Sequence, residues 1–116
     1  MSGKFLLDTN IIIALFAKEP VVHERLSNAD EVFVPCIALG EMYFGAYKSL
    51  RIKENLARID EFVLNSTMLA CDTDTAKKYG DIKNQLKEKG QPLPENDIWI
   101  AAVAQQYDLT LITRDT

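Results

Sequence analysis

The chain has 116 residues, of which 47% are hydrophobic and 26% charged, and its formal net charge is −4. That is enough chain for one domain with a proper core and too little for two, and the composition excludes a disordered or collagen-like protein. The longest apolar run, residues 11–17, is far short of a membrane span, and the first residues lack the basic and apolar regions of a signal peptide, so a cytoplasmic protein without membrane contact is expected.

In chain order, Lys4 to Leu7 reads as a short, fully buried strand, and Thr9 to Lys18 as a helix with apolar positions Ile12, Ile13 and Phe16 at helical spacing. Glu19-Pro20 breaks it. Val21 to Ala29 is a shorter helix, and Val32 to Pro35 is a second strand, β-branched and aromatic. Ile37 to Tyr47 is an apolar helix. Arg51 to Leu64 is an amphipathic one, with Leu56, Ile59, Phe62 and Val63 on one face. Thr67 to Cys71 is a third strand, and Asp74 to Lys89 a long polar helix closed by Gly90 and the extended turn "QPLPE". Asn96 to Tyr107 is a further helix and Thr110 to Thr113 a fourth strand. Buried strands alternating with helices predict an α/β fold, a parallel sheet with helices on both faces.

Cys36 and Cys71 stand in apolar surroundings with no metal-ligand spacing, and are expected to be small buried thiols. His23 lies in a polar stretch without a second His or Cys nearby and is read as a surface residue. Chemistry therefore falls to the carboxylates. A net negative chain would ordinarily argue against a nucleic-acid partner, unless several acids gather around divalent cations and the site's charge includes its metal.

Four acids stand out. In an open parallel sheet, ligands bind beyond the carboxyl ends of the strands. Asp8 directly follows the first strand in "KFLLDTNIII", and Asp115 follows the fourth in "LTLITRD". Asp8 amid large aliphatics is either a helix N-cap or a compensated functional acid, and Asp115 is either a ligand or a solvated chain end. Glu41, in "CIALGEMYFGAY", shares its helix face with Ile37, Ala38, Phe44 and Gly45, and no Arg or Lys lies within four residues of it. It is either paired with a buried cation or a metal ligand. Asp97 shares its face with Ile100, Ala101 and Ala104 near a positive helix N-terminus; the other reading is a capping or first-turn acid, with Asn96 competing for the cap. Asp72 and Asp74 are read as caps of the long polar helix.

In order and spacing, "FLLDTNIIIAL", "ALGEMYFGA", "PENDIWIAAVA" and "LTLITRD" resemble the PIN-domain ribonucleases, most closely the VapC-type toxins of toxin-antitoxin pairs. The resemblance spans essentially the whole chain. It implies a three-layer α/β/α fold with a parallel sheet of four to five strands and the first strand central, and an endoribonuclease dependent on Mg²⁺ or Mn²⁺, ions that suit hard oxygen ligands. Carried over, the acidic site falls on Asp8, Glu41, Asp97 and Asp115, with Thr113 supporting by hydrogen bonding and Arg114 suited to a phosphate contact. It also implies an RNA substrate, a cognate antitoxin that covers the cleft, and a homodimer. Relatives continue past the "TRD" acid into a further strand and tail, so residues 1–116 are read as a single PIN domain lacking that end.

Lys77, Lys78, Lys83, Lys87 and Lys89, with Lys48, Arg51, Lys53 and Arg58, either track phosphates or form a solvated face. A phospho-accepting receiver domain also gathers acids at strand ends, but needs an acid pair near the first strand and a lysine after a late one, which "LLDTN" and "LITRD" lack. A PIN scaffold that binds a partner without cutting is the other alternative.

Overall fold

The computed structural model of the protein describes residues 4–27 and 31–113. Ten elements follow in order: β1 (Lys4–Leu7), α1 (Thr9–Phe16), α2 (Pro20–Ser27), β2 (Glu31–Pro35), α3 (Cys36–Tyr47), α4 (Ile52–Leu64), β3 (Thr67–Leu69), α5 (Thr73–Glu88), α6 (Glu95–Gln106) and β4 (Thr110–Ile112). The strands pair in the order β3-β2-β1-β4, and every pairing is parallel. The sheet is the expected one, with β1 in its interior.

Successive side chains of a strand point to opposite faces. Leu6 and Leu7 are both 0% exposed, so both faces of β1 are covered by helices. Ile11, Ile12 and Ala14 of α1, Val22 of α2, Val34 of β2, Ala38, Leu39 and Ala46 of α3, Ile59 of α4 and Ile100, Val103 and Ala104 of α6 join them in the core. The predicted apolar face of α4 holds: Leu56, Phe62 and Val63 pack against that core around Ile59. Arg58 locks α4 to α1, donating from Nη2 to the Phe16 carbonyl at 2.8 Å with its guanidinium over the Phe16 ring.

Several boundaries differ from the sequence reading for local reasons. α1 stops at Phe16 because Lys18 turns left-handed, at φ 57°. Pro20 does not merely break α1 but opens α2; the first helical position needs no N–H donor and favours a fixed φ. The far end of α2 expected at Ala29 lies outside the described residues. β3 ends at Leu69, two residues early.

Cys36 and Cys71 are exposed, not buried. Cys36 is the first residue of α3, between the buried Val34 and Ala38, whereas Cys71 lies past the end of β3 in a stretch where Met68 and Ala70 are exposed as well. His23 is on the surface as expected. Among the described residues, no helix is long and apolar enough to cross a membrane.

Candidate active site

Asp8 leaves the carboxyl end of β1 and its backbone N–H donates to the Ile112 carbonyl at 3.2 Å, which fixes it at the seam between β1 and β4. Its carboxylate caps α1, with Oδ1 accepting from the Ile11 backbone N–H at 2.9 Å. The N-cap reading is therefore correct as far as it goes. Burial is the main cause that lifts the Asp8 carboxyl above its ordinary value, with the charges of Asp97 and Glu41 adding to it, against the backbone N–H groups of Ile11 and Asn10 that pull it down. Asp8 is thus a helix cap that also feels two other carboxylates.

Glu41, half-buried on α3, is positioned by a residue that sequence reasoning missed. Thr9 donates from Oγ1 to Glu41 Oε1 at 2.8 Å, across 32 residues of chain. The signal in the sequence is the hydroxyl directly after Asp8 in "LLDTN". The apolar face drawn around Glu41 is correct in part. Ala38 is buried, whereas Phe44 is 63% exposed, because a helix that is apolar on nearly every position has no unique inward face.

Asp97 sits in the first turn of α6. The cap position falls on Pro94, which offers no side-chain hydrogen bond, so neither Asp97 nor Asn96 is the cap. The first turn is tied down by Glu95, which accepts from the Tyr79 hydroxyl and from Lys83 Nζ at 2.5 Å. Lys83, then Tyr79, hold the Glu95 carboxyl below the usual range, and Glu95 in turn raises the Lys83 ammonium. Tyr79 stacks on Trp99, centroids 4.0 Å apart.

Asp72 behaves as expected of a cap: its side chain accepts from the Thr75 N–H in a capping box, and Gln106 Nε2 donates to it at 2.8 Å. These hydrogen bonds, the Thr75 backbone first, lower its pKa. Asp74 lies within the first turn of α5 rather than at the cap. Thr113 follows β4 and is exposed. Arg114 and Asp115 lie outside the described residues. Of the basic residues considered for phosphate tracking, Arg51 pairs with Glu54, Lys48 lies over Phe44, and Arg58 and Lys83 are engaged as described.

The fold thus brings Glu41 and the exposed Asp97 each within electrostatic reach of Asp8. Among the described residues, no three acids, cysteines or histidines already stand as a metal cage: Glu41 rests on Thr9 and Asp8 on the end of α1. The donors are carboxylate oxygens with no soft ligand among them, the chemistry that hard divalent cations such as Mg²⁺ and Mn²⁺ require.

A family profile described as "PIN domain" matches residues 5–116. The chain is a PIN domain of the VapC family. Ribonuclease VapC2 of Haemophilus influenzae is 35% identical over 114 residues, covering 97% of this chain and 86% of that protein. The tRNA(fMet)-specific endonuclease VapC of Shigella flexneri is 35% identical over 115 residues, covering 97% and 87%. Among solved structures, that of VapBC2 from Rickettsia felis bound to a promoter DNA fragment superposes with a TM-score of 0.87 at 25% identity, covering 97% of this VapC-family chain and 87% of its counterpart. The parallel sheet with its helices is thus that of a PIN fold.

Proposed function

We propose that this protein is a divalent-metal-dependent endoribonuclease, the toxin of a toxin-antitoxin pair. Its relatives named as ribonucleases support the reaction class, and the VapBC complexes, which belong to a family of toxin-antitoxin systems, support the antitoxin partner. The single observation that carries the chemistry is the convergence on Asp8 of two other carboxylates, Asp97 and Glu41, at the carboxyl end of the central strand.

Asp8, Glu41 and Asp97 would hold Mg²⁺ or Mn²⁺, with Asp115 completing the set and Thr113 and Arg114 supporting it. When bound, such an ion supplies Lewis-acid activation of water and of the scissile phosphate. The chain's own residues do the rest. The α1 N-terminus fixes the Asp8 rotamer through the Ile11 N–H, and Thr9 fixes Glu41, so two ligands are held in place by hydrogen bonds rather than by chance. Asp97 stands in the first turn of α6, at the positive end of that helix. Arg114 would hold a phosphate oxygen of the RNA.

Glu41 also lines a cavity of about 200 Å³ with Ile13, Phe16, Met42, Asn55 and Ile59. An apolar groove that opens on a catalytic acid suits an antitoxin segment that covers the cleft, and the exposed Phe44 and Tyr47 on the same helix suit a homodimer contact. The test is cleavage of a mixed RNA pool with Mg²⁺, with Mn²⁺ and with chelator. Cleavage with metal, lost in chelator and in a folded Glu41→Gln variant, is expected. A wild-type protein that binds RNA but never cuts it would favour the silent-scaffold alternative.

A further inference from the structure

A second cavity, of about 420 Å³, lies where the end of α5 meets the start of α6, and nothing above gives it a role. Its floor is apolar, from Leu86, Leu93 and Ile98, and its rim is charged, from Lys83, Lys87 and Glu95. The loop that closes it is stiff. Gly90, at φ 63°, turns the chain, the Gly90 and Gln91 N–H groups bond back to the carbonyls of Lys87 and Leu86, and Pro92 and Pro94 fix their own φ. A cavity held open by such a loop needs little ordering to bind.

Glu95 is already matched by Lys83. The Lys87 ammonium has no ion-pair partner among the described residues, so the rim carries one spare positive charge beside an apolar floor. Leu93, half-exposed, carries the apolar floor out to the protein surface. A planar apolar ring attached to a phosphate matches both features. Two wall residues, Glu95 and Ile98, stand on the same turn of α6 as Asp97, two residues before it and one after.

We propose that this cavity is a base-binding subsite for a nucleotide next to the scissile phosphate of the RNA, with Leu86, Leu93 and Ile98 under the base and Lys87 on its phosphate. The proposal rests on the ribonuclease reading of the acidic site and deepens it.

The test uses the full chain and its Lys87→Glu, Leu93→Asp and Lys18→Glu variants. Two quantities are read: kinetics and cleavage ends on a randomised RNA, and binding of a fluorescent oligoribonucleotide by anisotropy. Lys87→Glu should raise KM and Kd about tenfold with kcat within about twofold of wild type. Leu93→Asp should flatten the base preference on one side of the cut. Lys18→Glu, an equal change of charge remote from the cavity, should do neither. Wild-type KM, Kd and base preference in both cavity variants would overturn the subsite, as would losses that Lys18→Glu reproduces. If wild type cuts no RNA with either metal, the ribonuclease reading fails and binding decides the subsite: RNA affinity lost in Lys87→Glu supports it. RNA affinity that ignores the variant, or an acidic peptide bound at the cavity in place of RNA, overturns it.

Discussion

Asp8 caps α1 with a carboxylate that also faces the charges of Asp97 and Glu41, and Thr9 beside it reaches across the fold to Glu41. A threonine hydroxyl that orients an acid acts through that acid, so Thr9→Val, which keeps the shape and removes the donor, should lower cleavage by about tenfold, as removal of outer-shell partners of metal ligands does. The fold should survive, and the check is cleavage rate beside a thermal melt. If cleavage is unchanged, Glu41 needs no orienting partner. Asp74→Asn is the contrasting case. Asp74 lies in the first turn of a helix whose cap is already satisfied by Asp72, and the substitution should leave cleavage near wild type. The sequence drew attention to Asp8 and Glu41 because a charge among aliphatics has to be compensated, and to Asp97 through the motif resemblance; the fold brings Glu41 and Asp97 near Asp8. Thr9 was not legible there, since its partner is 32 residues away and only the folded sheet brings them together.

At the scale of elements, α6 carries Asp97 and is held against α5 at both ends. One clasp joins Tyr79 and Lys83 to Glu95. The other is built on Thr75, which is 0% exposed and whose hydroxyl both accepts from the Asp72 N–H at 2.9 Å and donates to Gln106. Thr75→Val preserves the volume but buries a hydrogen-bonding gap, leaving the Asp72 N–H and the Gln106 carbonyl oxygen short of a partner. A loss of about 1–2 kcal/mol is expected, seen as a melting temperature lower by roughly 5–10 °C, while cleavage at 25 °C stays close to wild type because the other clasp still seats the first turn of α6. A large loss of cleavage with little loss of stability would mean that the Thr75 end, not the Glu95 end, sets Asp97. Helix existence was readable from periodicity throughout. The exposure of Phe44 was not, because "CIALGEMYFGAY" is apolar on nearly every side and periodicity picks no face. The thiols of Cys36 and Cys71 escaped for a related reason: apolar neighbours in sequence do not fix burial, since a helix start turns Cys36 outward from a buried segment and Cys71 lies in an apolar stretch that is itself largely exposed.

For the whole molecule, the acidic cluster sets function against stability, and pH exposes the conflict. The Asp8 carboxyl titrates above its ordinary value of 3.8 in the folded protein. As pH rises, the unfolded chain therefore releases that proton first, so the folded state binds more protons between the two values and its stability falls across that window. Above the raised value the penalty is constant, and below 3.8 it is absent. Asp8→Asn removes the charge, while asparagine caps a helix as well as aspartate does. In chelator, the variant should melt higher than wild type at neutral pH, and the gap should close as pH is lowered towards and below 3.8. Mg²⁺ or Mn²⁺ should raise the wild-type melting temperature, because a ligand that binds only the folded state stabilises it, and should raise that of the variant less. Cleavage should be lost in the variant. Thermal melts of both proteins across pH, each with chelator and with metal, measure all of this at once. A variant that melts below wild type in chelator at neutral pH, and responds to metal as strongly, would leave Asp8 as a structural cap alone and move the metal site elsewhere.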